Sequence, residues 1–324
     1  MSGNYLITGC AGFIGAKVVE LLLTESSTVV GVDDLNDAYD VRLKMWRLER
    51  LSSDQFRFIR SDISDLDGIQ KLFSENKFDA VINLAARAGV RHSMSDPASY
   101  LESNLNGALN LLEMCKEYGV PKLVQASTSS VYGDINKQPF NEDGPTDRPL
   151  SAYAASKKAS EELCYTYHHL YGIDVTIFRF FTVYGPAGRP DMSPFRFVQW
   201  IAEGQPVTVY GDGLQSRDFT YVDDIARGVV AGLQPLGYEI INLGSDSPIV
   251  VNDFIEMLEG HLAKAAVRVY EPRHPADVIA TWADIRKAAR LLDWKPQVNI
   301  KTGSGLIVDW YLDNRDWAKE ISVA

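Results

Sequence analysis

The sequence predicts an α/β fold, a doubly wound parallel sheet carrying a smaller C-terminal lobe. Three observations predict it. Short β-branched runs alternate with longer helical stretches from residue 4 to about 180. A glycine triplet joins the first such run to the first helical stretch. Beyond about residue 181 the alternation gives way to Gly and Pro clusters and shorter elements.

Taken in order, the strand candidates are "YLIT" (5–8), "TVVGV" (28–32), "FRFI" (56–59), "AVINLA" (80–85), "KLVQAS" (122–127) and "DVTIFRF" (174–180). Between them the helical patterns are clearest at 14–24, 66–75, 98–118 and 153–171. Strands joined through helices at this spacing run parallel. "YGPAGRPDMSP" and "YGDGLQS" then break the pattern, and helices follow near 252–263 and 302–313. The chain thus divides into residues 1–180, to which later segments can return, and 181–324, a lobe over the carboxyl edge of the sheet, where open α/β folds bind ligands.

Composition narrows the partners. The 324 residues, 46% hydrophobic, are enough to bury a full core. Lys plus Arg number 32 against 43 Asp plus Glu, a formal charge of −11 that argues against general attraction to nucleic acid or an anionic membrane. Any anionic ligand must therefore be held by locally placed donors. No charged segment followed by an apolar run opens the chain and none approaches spanning length, so a cytoplasmic protein is expected. Three cysteines, Cys10, Cys115 and Cys164, lack CxxC spacing and read as reduced thiols. The five histidines, His168 and His169 adjacent among them, show no metal-ligand spacing.

"YLITGCAGFIGAKVVELLL" passes from strand to helix through Gly9, Gly12 and Gly15. The glycines allow the tight turn, close approach of backbone to a pyrophosphate, and close helix-to-strand packing, while the helix N-terminus offers free N–H groups. The next strand ends in Asp33, 18 positions after Gly15, as a Rossmann dinucleotide site requires. Asp33 is expected to bond the adenosine ribose hydroxyls. With Asp34 beside it the site would repel a 2′-phosphate, favouring NAD over NADP; Asp34 can equally be a solvated loop carboxylate. Asp62 ends the third strand candidate, where it either approaches the adenine edge or caps the helix of "ISDLDGI".

"SAYAASKKASEE" places Tyr153 and Lys157 four residues apart on one helix face. Tyr118 and Lys122 repeat the spacing, but Gly119 and Pro121 break the helix there. A tyrosine base must ionise below its free value of about 10, and reaching 7 takes roughly 4 kcal/mol. A lysine charge about 4 to 5 Å away at an effective dielectric near 20 supplies roughly 3 to 4 kcal/mol.

"TGCAGFIG", Asp33, "NLAA", "STSSVYG", Tyr153 with Lys157, and "RDFTYVDD" together resemble the extended short-chain dehydrogenase/reductase family, in particular its nucleotide-sugar epimerases. The resemblance runs over nearly the whole chain. "LNDAYDVRLK", "ARAGVRHSMSDPASYLESNLNG" and "RFFTVYGPAGRPDMSPF" look most like UDP-glucuronate 4-epimerases. The resemblance implies Tyr153 as base, Lys157 as anchor of the nicotinamide ribose, and Thr128 as a second partner for the substrate hydroxyl. It places Phe13, Ile14, Ile63, Leu84, Ala85 and Ala86 along the cofactor. Asn104 would support the cofactor side; packing within a long helix is its other reading. Arg217 would contact the UDP phosphates, a task suited to guanidinium, or else pair with Asp218 or Asp223. Asp277 would sit near the uridine ribose. Two departures stand out: Arg87 replaces an expected neutral residue, and "EPRHPAD" replaces the usual "QPGD", which leaves Arg273 and His274 without an assigned contact.

The implied chemistry is oxidation at C4 of a UDP-sugar, rotation of the 4-keto sugar, and reduction from the other face, with NAD retained. Dehydratases of this kind carry Asp-Glu after the threonine and decarboxylases Ser-Glu; here Ser129 and Ser130 follow Thr128, which points to simple epimerisation. Ser129, Ser130 and Thr182 could hold a uronate carboxylate away from its decarboxylating orientation. Arg189 orients the sugar or phosphate, or anchors its loop. The expected reaction is UDP-glucuronate to UDP-galacturonate, the alternatives being a UDP-glucose 4-epimerase, a UDP-glucuronate decarboxylase or a non-catalytic NAD sensor. Apolar residues on helices 98–118 and 153–171 exceed what one sheet face covers, and relatives pair such helices, which implies a homodimer.

Overall fold

The computed structural model describes residues 2–273 and 277–323. Seven parallel strands form the central sheet. They are β1 (Asn4–Thr8), β2 (Thr28–Asp33), β3 (Phe56–Arg60), β4 (Ala80–Asn83), β5 (Lys122–Thr128), β6 (Asp174–Phe180) and, after four short strands, β11 (Tyr238–Leu243). Their order is β11-β6-β5-β4-β1-β2-β3, so the direction of winding reverses beside β1, where the crevice for a ligand opens. The strand predicted over 80–85 ends at Asn83, because Leu84 onward turns away to build that crevice.

Helices cover both faces. On one side α1 (Phe13–Thr24) packs beside α8 (Val222–Ala231) and α10 (Arg286–Leu292), burying Val18, Val19, Leu22, Ile225, Val229 and Trp294 against the sheet. On the other lie α3 (Leu66–Glu75), α5 (Gly107–Tyr118) and α6 (Ala152–Tyr171), with Leu72, Phe73, Leu111, Leu112 and Cys164 in the core. The helix predicted over 98–118 is α4 (Pro97–Leu101), a π-turn at Glu102–Asn106, then α5. α2 (Val41–Glu49) follows β2. The three buried cysteines are unpaired.

A second core gathers elements that follow β6, joined by Leu43 of α2. It comprises α7 (Ser193–Glu203), α9 (Val251–Leu262), α11 (Ile300–Asp313), α12 (Arg315–Ala318) and the short pairs β7 (Thr182–Tyr184) with β10 (Phe219–Tyr221), β8 (Val207–Tyr210) with β13 (Arg268–Glu271), and β9 (Ser216–Arg217) with β12 (Ile249–Val250). Phe195, Phe197, Phe219, Phe254, Trp310 and Tyr311 fill it. Among the described residues no helix is long and apolar enough to cross a membrane.

Candidate active site

A buried polar ladder crosses the sheet beneath the crevice. The Thr8 hydroxyl donates to Asn83 Oδ1 at 2.6 Å and accepts from the Ala85 N–H at 3.2 Å, while Asn83 Nδ2 donates to Gln125 Oε1 at 2.9 Å. This fixes where the chain leaves β4, and so where Leu84, Ala85 and Ala86 face the cleft. Opposite them is the glycine turn. Gly9 has φ +69°, and a Cβ there would stand 2.7 Å from Ala85 N. At Gly15, the third residue of α1, a Cβ would reach 2.0 Å from the Gly9 carbonyl, so only glycine lets the helix lie this close to the turn. Gly12 precedes α1 without a side-chain cap, leaving the first N–H groups toward the cleft for an anion.

Asp33 closes this end. Its carboxylate accepts from Ala11 N at 3.1 Å and Leu35 N at 2.9 Å, and it lines the cleft with Asp34, Asp62 and Ile63. Asp34 is occupied by Asn36, through N at 3.0 Å and Nδ2 at 2.8 Å. Asp62 does not cap a helix: Asp65 precedes α3, and Asp62 instead accepts from Ser64 N at 2.8 Å in a local turn. The buried Lys44, unassigned by the sequence reading, reaches Asp33 at 3.5 Å, Asn36 Oδ1 at 3.2 Å and Asp34 at 3.8 Å. Its helix reads as a polar surface run, "VRLKMWRLE", yet Lys44 and Arg47, three apart on one face, are both buried. The glycine turn, the open helix end and the acidic residue at the tip of β2 fit an adenine dinucleotide.

The same cleft is also lined by Thr128, Ser129, Ser130, Tyr153, Lys157, Thr182 and Arg189, along with Phe13 and Ile14. Ser151 caps α6 by accepting from Ala154 N at 3.1 Å, which sets Tyr153 in its first turn. Burial pushes the Tyr153 phenol up; a hydrogen bond with Thr128 and the charge of Arg189 pull it down. The charge of Arg189 thus acts on this phenol from a distant loop, with Lys157 lining the same cleft. Lys157 spends its ammonium on the Ala126 carbonyl at 3.1 Å, and burial lowers it to about 8. Arg189 is gripped by Asp191 (3.0 Å from Nε) and donates to the Ala88 carbonyl at 3.1 Å. Burial works against its charge, but the Asp191 carboxylate more than offsets that. Arg189 thus anchors its loop, and it also lines the cleft.

Three predicted residues lie off this cleft. Asn104, on the π-turn, is buried behind it, bonded to the Arg87 backbone and to Ser156 Oγ at 2.9 Å. Arg217 and Asp277 lie in a separate cluster. Asp277 pairs with Arg91 at 2.5 Å, and Arg91 stacks 3.9 Å over Tyr210. Arg217 is lowered first by burial, against the pull of Asp277, and then by the like charges of Arg91 and Arg273, so these guanidiniums outnumber the one carboxylate among them. Arg217 does not pair with Asp218 or Asp223: Asp218 accepts from the backbone of Ser245, Asp246 and Ala283, and Asp223 meets Lys17. Arg91 was missed, although it sits in the quoted "ARAGVRHSM". His274 lies outside the described residues.

The model of the NAD dependent epimerase/dehydratase family matches residues 5–244. A UDP-glucuronate 4-epimerase of Thermodesulfobacterium geofontis (strain OPF15) is 55% identical over 99% of this chain and 100% of its own. The crystal structure of UDP-glucuronic acid 4-epimerase from Bacillus cereus, in complex with UDP-glucuronic acid and NAD, matches at TM-score 0.91 and 38% identity, covering 96% of this chain and 99% of that one. UDP-glucose 4-epimerase from Thermotoga maritima, with UDP-glucose, matches at TM-score 0.89 and 30% identity, covering 96% and 99%.

Proposed function

The chain belongs to the NAD dependent epimerase/dehydratase family, and from that premise we propose that it inverts C4 of UDP-glucuronate to give UDP-galacturonate through a 4-keto intermediate. The observation that carries this reading is the 55% identity to a UDP-glucuronate 4-epimerase along the full length of both chains.

Bound NAD supplies the acceptor, and then the donor, of the C4 hydrogen. Gly9, Gly12, Gly15 and the start of α1 hold its pyrophosphate, Asp33 its adenosine ribose, with Phe13, Ile14, Asp62, Ile63, Leu84, Ala85 and Ala86 around it and Asn104 fixing the wall behind. Tyr153 takes the C4 hydroxyl proton and gives it back, supported by its bond with Thr128 and the charge of Arg189. Lys157, lowered only to about 8, still carries its proton at neutral pH. Between the two transfers the sugar turns about its diphosphate link. Ser129, Ser130 and Thr182 hold the uronate carboxylate as neutral donors that can release and rebind it, and Arg189 orients the sugar. Arg217 and Asp277 take the UDP end, where excess guanidinium charge suits a diphosphate.

We further propose that residues 1–180, completed by α8, β11 and α10, form the NAD-binding domain, that most of 181–324 forms the UDP-sugar lobe, and that the enzyme is a cytoplasmic homodimer. Leu101, Tyr118, Tyr165, Leu170 and Tyr171, all exposed on or beside α4, α5 and α6, support the dimer. The test is incubation of purified protein with UDP-glucuronate and, separately, UDP-glucose, with products read by NMR. Galacturonate from the first alone is expected; turnover of UDP-glucose alone would transfer the reading to the neutral sugar.

A further inference from the structure

Three consecutive residues of β5 are each tied to one face of α6. The Ala126 carbonyl accepts from Lys157 Nζ at 3.1 Å, the Ser127 hydroxyl donates to Glu161 Oε1 at 2.5 Å, and the Thr128 side chain is hydrogen-bonded to Tyr153. Residues 153, 157 and 161 follow at intervals of four, so they stand in a row on the helix. Two of these ties end on residues of the proposed reaction. The third ends on Glu161, which is 1% exposed and does not line the cleft.

Glu161 is held from the neighbouring strand as well. Arg179 on β6 grips it with a fork, Nε to Oε1 at 3.0 Å and Nη2 to Oε2 at 2.8 Å. Arg179 also donates to the Glu142 carbonyl at 3.2 Å and lies 4.9 Å from the Tyr132 ring centroid. The Tyr132 hydroxyl donates to Asn242 Oδ1 on β11 at 2.7 Å. A continuous polar chain therefore runs from the last strand of the sheet to the middle of α6. A buried ion pair stabilises a fold no better, as a rule, than well-packed apolar side chains of the same volume. What a fork supplies that apolar packing does not is a single permitted geometry.

We propose that the Glu161–Arg179 pair is a positioning device: it sets the height of α6 against β5 and so keeps Tyr153 at Thr128 and Lys157 at Ala126 in register for proton transfer. The inference rests on the roles proposed above for Tyr153 and Lys157. A displacement of reacting groups by about 1 Å can cost about 10²-fold in rate, and one residue of helix rises about 1.5 Å. The groups around Lys157 are Tyr153, Glu161 and Cys164 on its own helix, Arg179 on β6, and Cys115 on α5, which faces Cys164. Glu161 is also met by Lys158 at 3.4 Å, and its carbonyl by the Tyr238 hydroxyl at 3.3 Å.

The test compares wild type with Glu161→Gln and with the apolar pair Glu161→Leu/Arg179→Met, each as the NAD-loaded enzyme. Glu161→Gln is expected to lower kcat about 10²-fold, with KM for UDP-glucuronate within about twofold and bound NAD retained. The apolar pair is expected to melt no lower than wild type while staying equally slow. Recovery of wild-type kcat in the apolar pair would show a purely structural role and overturn the proposal. A readout free of substrate is the Lys157 titration, followed by NMR of ε-¹³C-labelled lysines and assigned with Lys157→Met. Because the Glu161 charge by itself raises Lys157, the deciding variant is Glu161→Asp, which keeps the charge on a shorter arm: a midpoint displaced from wild type is expected there, and a wild-type midpoint overturns the proposal. If wild type turns over neither sugar nucleotide, the proposed function fails, while the Lys157 titration still decides the positioning role.

Discussion

The carboxamide of Asn104 closes a ring with the peptide of Arg87: the Arg87 N–H donates to Oδ1 and Nδ2 donates to the Arg87 carbonyl, both at 2.9 Å. The π-turn makes this possible, since the wider turn moves Asn104 off the regular helical face and toward the loop after β4. Asn104→Ala leaves both half-buried backbone groups without these partners. A loss of about 2 to 3 kcal/mol is expected in urea unfolding, together with less co-purifying NAD.

Tyr153→Phe removes the proton-transferring group but little volume. A drop in turnover of about 10² to 10⁴-fold is expected, with NAD still bound. NMR of the product and chromatography of the released nucleotide read the two halves. Retained activity would remove Tyr153 from the mechanism.

Lys157 sets a pH dependence of stability. Burial lowers it from 10.5 to about 8, so between these values the unfolded chain holds a proton that the folded chain has released. Stability from this group therefore rises as pH goes from about 8 toward 10.5, and its full penalty acts below about 8. Urea midpoints of nucleotide-free protein at pH 7 and 9.5 should show wild type gaining on Lys157→Met. The gain should reach about 2 to 3 kcal/mol, and none would mean that Lys157 is solvated.

Thr182 and Ser130 face the cleft with neutral hydroxyls. The Ser130 hydroxyl accepts from Thr128 Oγ1 at 3.2 Å. Thr182→Val with Ser130→Ala is expected to weaken UDP-glucuronate binding about tenfold or to raise UDP-xylose-type side products. Product ratios by NMR and affinity by calorimetry measure both. If neither changes, these hydroxyls do not hold the carboxylate.

Gly15→Ala would set a methyl against the Gly9 carbonyl, 2.0 Å away. Because the obstacle is backbone, α1 must shift, and protein lacking bound nucleotide is expected, read by the ratio of absorbance at 260 and 280 nm. NAD content equal to wild type would show that the turn adapts.

The first six strands of the sheet were legible because each is a short β-branched run followed by a helical pattern, a local signal. β11 was not, because "YEIINL" becomes a sheet strand only by pairing with β6, a non-local event in an irregular stretch. At the site, the glycine turn and the Tyr153–Lys157 face follow from fixed spacings on one element. Lys44 and Arg91 escaped because their value lies in partners from other segments: Asp33 across 11 residues and Asp277 across 186. The part of Arg189 at Tyr153 escaped for the same reason, since its charge acts there from a distant loop.

The return of β11 and α8 to the sheet begun before residue 180 has a consequence for anyone who would cut or shuffle this gene. β11 covers the outer edge of β6, and α8 covers α1, yet both are encoded after residue 180. A product ending there would carry a naked strand edge and an uncovered apolar helix, the ingredients of aggregation. Recombination at that point would yield insoluble halves; productive chimeras must lift out the lobe's segments around the returning strand and leave the strand behind.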